Sequence, residues 1–122
     1  MIIINHTKER IPRDFIKSWT QSVFRELKKR KITSSDCNIT VVFVSESKIK
    51  KLNSQYRNKN KPTDVLSFES DDPESLGELV LCLPVLKKQA REHQLTLKEE
   101  IAYMILHGVL HLLGYDHETS EQ

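Results

Sequence analysis

The sequence predicts an α+β fold: one domain over residues 1–122, with a mixed β-sheet of about four strands packed with helices. Three observations carry this expectation. Two β-branched runs, Ile2 to Ile4 and Asn38 to Val44, read as strands. Apolar residues recur every three to four positions in two longer segments, Phe15 to Leu27 and the one ending at Leu113. No internal repeat, low-complexity tract or linker interrupts the order β-α-β-α-β-β-α-α.

In chain order, Ile2 to Ile4 is a short strand ended by Asn5. After Pro12, Phe15, Ile16, Trp19, Val23 and Leu27 form the apolar stripe of a helix ending near Arg30 or Lys31. Ser34-Ser35-Asp36 is a turn, and Asn38 to Val44 is dense enough in β-branched residues to be a central strand. Ser45 caps a short helix that turns Ile49, Leu52 and Tyr56 inward and its lysines outward. Asn58 to Pro62 has turn chemistry, Asp64 to Phe68 is a strand, Glu69 to Leu76 is an acidic loop, and Gly77 to Leu83 is the last strand. A helix runs from Pro84 to about Glu92. Thr96-Leu97-Lys98-Glu99 is a capping box opening a final helix to Leu113, which Gly114 ends by turning the chain sharply.

Apolar residues make up 38% of the chain and charged residues 30%, a balance suited to a packed core and unlike that of a disordered chain. No apolar run approaches the roughly 20 residues needed to cross a bilayer, and the N-terminus lacks a basic secretion signal, so the expected compartment is the cytoplasm. Cys37 and Cys82 form no C-x-x-C pair, and both are expected to be reduced. Net charge is only +2, but its distribution is uneven: Lys48, Lys50, Lys51, Arg57, Lys59 and Lys61 fall in a stretch with no acidic residue.

The segment His107-Gly108-Val109-Leu110-His111-Leu112-Leu113-Gly114-Tyr115-Asp116-His117 carries the chemistry. Four helical residues advance about 6 Å along the axis and only about 40° around it, so His107 and His111 share a face and can grip one ion. The turn at Gly114 brings His117 toward the same ion. The expected site is therefore one metal per chain on the last long helix and the turn after it, with three neutral nitrogens and an open position. Three protein ligands plus water mark catalytic zinc sites. Zinc is preferred, although imidazole also suits nickel and other divalent transition metals.

The spacing H-x-x-x-H-x-x-G-x-x-H is that of the long zinc-protease signature, yet Gly108 stands where its glutamate base belongs. Peptidase chemistry loses its base. A coordinated water still becomes a nucleophile, because its pKa falls from about 15.7 toward about 7. Asp116 and Glu118 read equally well as turn carboxylates or as groups orienting a ligand.

The H-G-V-L-H-L-L-G-Y-D-H segment resembles the metal-binding signature of the YbeY-type rRNA maturation factors, a family of bacterial endoribonucleases. Independently, Leu52-Asn53-Ser54-Gln55-Tyr56-Arg57 and Pro62-Thr63-Asp64-Val65-Leu66-Ser67-Phe68 are similar to that family's L-N-x-x-Y-R and P-T-D-V-L-S-F, and Gly77 to Leu81 to its next strand. The resemblance implies a cytoplasmic, metal-dependent endoribonuclease preferring single strands. Its implied partners are single-stranded RNA, rRNA and ribosomal particles, in small-subunit rRNA end processing and ribosome quality control. It assigns Arg57 to stabilising phosphate charge, since a guanidinium pairs bidentately with phosphate. Arg57, Lys59 and Lys61 are then expected to hold the RNA backbone without reading bases. Two other readings stay open: a ribosome assembly factor whose metal supports the fold, and a metal-dependent hydrolase of another class.

Overall fold

A computed structural model describes residues 1–32 and 38–115. The elements are β1 (Ile2–Asn5), α1 (Arg13–Lys29), β2 (Asn38–Val44), α2 (Glu46–Arg57), β3 (Val65–Glu69), β4 (Ser75–Cys82), α3 (Leu83–His93) and α4 (Leu97–Leu112). Their order matches the expectation. The strands form one mixed sheet in the order β1-β2-β4-β3, in which β1 and β4 run parallel to β2 and β3 runs antiparallel to β4. The α+β class is therefore borne out, and β2 is an inner strand as its composition demanded.

Period-two alternation along the two inner strands divides the core between the sheet faces. Val41, Phe43, Leu79 and Leu81 join Ile16, Val23 and Leu27 of α1, Leu83 and Leu86 of α3, and Ile101, Ile105 and Val109 of α4. Val42, Val44, Val80 and Cys82 join Leu66 and Ile49 of α2. Fully burying one such side chain stabilises by about 1.5–3 kcal/mol relative to leaving it exposed. A one-residue slip would invert every one of them, so both faces lock the register.

Caps set the helix limits. Ser45 Oγ accepts from Lys48 N at 3.3 Å, opening α2. Thr96 and Glu99 form the reciprocal box: Thr96 Oγ1 accepts from Glu99 N at 3.1 Å, and Glu99 Oε1 accepts from Thr96 N at 2.8 Å. Donation from the Thr96 backbone N–H first, and then from its side chain, holds the Glu99 carboxyl below the usual range. Trp19 Nε1 donates to Ala102 O at 2.9 Å and ties α1 to α4.

The structure differs from the sequence reading at several points. Leu83 belongs to α3 rather than to the last strand, with Pro84 in the first helical turn, where its missing N–H costs nothing. Strand β4 begins at Ser75, inside the expected loop, because Ser75 pairs with Asn38 of β2 across a register shift. Tyr56, expected inward, is 61% exposed: by the last turn α2 has reached the sheet edge, and its ring meets Phe68 edge-on at 5.1 Å.

Candidate active site

Helix α4 buries Ile101, Ile105, Val109 and Leu112 against the sheet, which leaves Tyr103, His107 and His111 as a stripe along one flank, each four residues from the next. Both histidines are half-buried, and the exposed Tyr103 ring stacks on His107 with centroids 6.4 Å apart and planes 23° apart. This stacking restricts the first imidazole from the solvent side.

The helix ends in a Schellman motif. Gly114 has φ +98, its N–H donates to His111 O at 3.0 Å, and Tyr115 N–H donates to Leu110 O at 2.8 Å. The expected reversal at Gly114 is thus present immediately after the second histidine. His117, Asp116, Glu118 and Cys37 lie outside the described residues. Among the described residues no group of three or more His, Cys, Asp or Glu side chains converges.

Position 108, where the protease signature would place its glutamate, does not face the cleft. Gly108 is buried, and a Cβ there would stand 2.6 Å from Leu79 Cδ2. Its role is close approach of helix to sheet.

The second wall is β3, an edge strand. Asp64 immediately precedes it: Asp64 Oδ1 accepts from Val65 N at 2.7 Å, and its carbonyl accepts from Cys82 N at 3.1 Å. The third wall is the last turn of α2, which Asn58 stops in a left-handed conformation at φ 58. These walls enclose a cleft of about 390 Å³ lined by Tyr56, Arg57, Val65, Leu66, Ser67, Phe68, His107 and His111. Among these residues Arg57 bears the one permanent charge and none is acidic. Such a lining favours an anion.

Arg57 and the two described histidines, fifty or more positions apart in sequence, therefore share one cleft. Lys59 and Lys61 are exposed on the loop following α2 and do not line it. Sequence reasoning missed Tyr56, Tyr103, Ser67 and Phe68 as site residues. The four-residue spacing of Tyr103 from His107 was the available signal for one of them.

The family model described as Endoribonuclease YbeY matches residues 2–122. The chain belongs to the YbeY endoribonuclease family. Curated members called Endoribonuclease YbeY include one from Bdellovibrio bacteriovorus, 53% identical over 99% of this chain and 83% of its own length. Another, from a Sulfurihydrogenibium species, is 40% identical over 99% of this chain and 81% of its own. The solution structure of TM1509 from Thermotoga maritima superposes with TM-score 0.63 at 34% identity, covering 95% of this chain and 73% of that one. The fold of this YbeY-family chain is thus that of a solved relative.

Proposed function

We propose that this YbeY-family protein is a cytoplasmic, metal-dependent endoribonuclease that cuts single-stranded RNA in small-subunit rRNA end processing and ribosome quality control. The nuclease class follows from family membership. One observation supports the phosphate chemistry beside a metal: Arg57 lines the same cleft as His107 and His111, with no acidic residue among its described lining.

The donor set fits a zinc ion. Two half-buried imidazoles four positions apart on one helix flank of the cleft offer the nitrogen donors that zinc takes. His107, His111 and His117 would hold one ion per chain, and nickel or another divalent transition metal suits the same nitrogens. When bound, the ion supplies Lewis acidity that makes a water or a ribose hydroxyl nucleophilic near neutral pH.

This chain's side chains supply the remaining chemistry. Arg57 presents a planar fork of donors to a phosphate and stabilises the charge that grows as the phosphodiester breaks. Lys59 and Lys61 hold flanking phosphates from the adjoining loop. Tyr56 and Phe68 form an aromatic wall beside the phosphate position, and the exposed Tyr56 ring offers a face to an unstacked base. No helix among the described residues is long and apolar enough to cross a membrane.

The deciding experiment combines elemental analysis of protein purified without affinity-tag metal with RNA cleavage by the wild type and by His111→Ala. One ion per chain, lost together with cleavage in a folded variant, is the expected result. Products with 5′-phosphate and 3′-hydroxyl ends identify water as the nucleophile, whereas a 2′,3′-cyclic phosphate identifies the ribose. Unchanged cleavage after metal loss would overturn the catalytic-metal reading and leave an assembly factor with a fold-supporting metal.

A further inference from the structure

The basic stretch from Lys48 to Lys61 is not used up by the active cleft. Only Arg57 of its six cations lines that cleft. The outward face of α2 carries a second recess of about 430 Å³, lined by Ser47, Lys50, Lys51, Ser54, Gln55 and Asn60. Every lining residue is polar or cationic, and none is acidic.

The recess is shaped by the backbone and not by lysine side chains alone. Asn58 takes the left-handed conformation and reverses the chain at the end of α2. The buried Asn53 then pins the returning loop at two points: its carbonyl accepts from Lys59 N at 3.3 Å, and its Nδ2 donates to Lys61 O at 2.9 Å. Pinned in this way, the loop brings Asn60 beside Lys50 and Lys51 to complete the recess.

Helix α2 contributes to both depressions. Lys50 and Arg57 are seven residues apart, so they lie two turns apart on the same flank, separated by about 10.5 Å of rise. A single strand laid along α2 can therefore meet both.

We infer that the recess on α2 is a phosphate subsite for the backbone of single-stranded RNA, on the same helix as the Arg57 that holds the phosphate in the cleft. The inference rests on the endoribonuclease reading of the cleft. Lys50 and Lys51 neutralise backbone charge there, while Ser54, Gln55 and Asn60 supply uncharged donors. Contacts of this kind position a strand without reading its bases. The subsite extends the enzyme's grip along the strand and favours substrates longer than the cleft itself.

The test uses two probes, a four-nucleotide and a twelve-nucleotide oligouridylate, with the full chain as wild type, Lys50→Gln/Lys51→Gln, and the charge-matched control Lys17→Gln/Lys88→Gln on α1 and α3. Glutamine has nearly the helix propensity of lysine, and a thermal melt verifies that each variant folds. The wild type is expected to bind the longer probe more tightly. In Lys50→Gln/Lys51→Gln that preference falls roughly tenfold at 0.1 M salt, and the salt slope of log affinity becomes shallower by about 1.4, for two phosphate contacts at about 0.7 each. In cleavage the loss falls on KM and spares kcat.

If Lys50→Gln/Lys51→Gln retains the wild-type length preference and salt slope, or loses no more than the control, the subsite is overturned while cleavage by the wild type stands. If the wild type cleaves neither probe but the length preference still depends on Lys50 and Lys51, the subsite holds and the nuclease reading of the cleft falls.

Discussion

Gly108 of α4 lies against the side chain of Leu79 of β4, so close that a Cβ at position 108 would stand 2.6 Å from Cδ2 and 2.9 Å from Cδ1. This contact sets the distance between the helix carrying His107 and His111 and the sheet beneath it. It also accounts for the missing protease glutamate, since a side chain at 108 would enter the core and not the cleft.

Gly108→Ala is therefore expected to destabilise. Overpacking costs about 1–3 kcal/mol, and the better helix propensity of alanine offsets about 1 kcal/mol of it. A urea titration should show a lower midpoint, lower still for Gly108→Glu, which would bury a carboxylate. A midpoint equal to or above wild type for Gly108→Ala would mean that Leu79 yields freely.

Arg57 is exposed at the last turn of α2, and its side chain supports no described core contact. Arg57→Ala should lower kcat on single-stranded RNA by about 10²–10³, the usual effect of removing one donor to a developing negative charge. Its melting temperature and metal content should match wild type. A lowered metal content would place Arg57 in ordering the histidines and not in handling phosphate.

Glu100 is fully buried; its Oε1 is 3.0 Å from His93 Nδ1, and its Oε2 has no hydrogen-bond partner among the described residues. His93→Ala removes the partner of Oε1 and should cost about 1–3 kcal/mol, the penalty for a buried polar group left unpaired. Paired with Glu100→Leu in a double-mutant cycle, the two losses should be strongly non-additive. Additive losses would show that the pair does not act as a unit.

Burial pushes the Cys82 thiol up, reinforced by the Glu46 and Glu9 carboxylates and opposed by a backbone hydrogen bond at Val85. In a Cys37→Ser background, native protein should resist iodoacetamide at neutral pH and react only when unfolded. The folded state binds this proton more tightly than the unfolded chain does. Its stabilising contribution is therefore complete below the ordinary thiol pKa of about 8.5, and is lost as pH rises from there through the higher folded value. Cys82→Ala should flatten that alkaline decline in denaturant midpoint; an unchanged decline would assign it to other groups.

The sequence by itself determined the element order, the inner position of β2, the capping box at Thr96 and the reversal at Gly114. These depend on local chemistry: side-chain period, β-branching, a hydroxyl three residues before a glutamate, and a glycine able to take positive φ. It also placed His107 and His111 on one helix face, because a four-residue spacing has one meaning in a helix. The motifs that carry the family resemblance were legible for the same reason, being contiguous in the chain.

Tertiary structure alone decided what those motifs build together. Arg57 reaches the histidines' cleft because β3 pairs with β4 at the sheet edge, leaving the end of α2 and the flank of α4 on either side of an edge strand. Helical spacing turned Tyr56 inward, but its ring packs edge-on against Phe68 of the edge strand β3 and stands at the cleft rim. Gly108 read as a lost catalytic base until its contact with Leu79 gave it a packing role. In each case the deciding partner is a residue distant in sequence, and local propensity carries no information about which distant surface a side chain will meet.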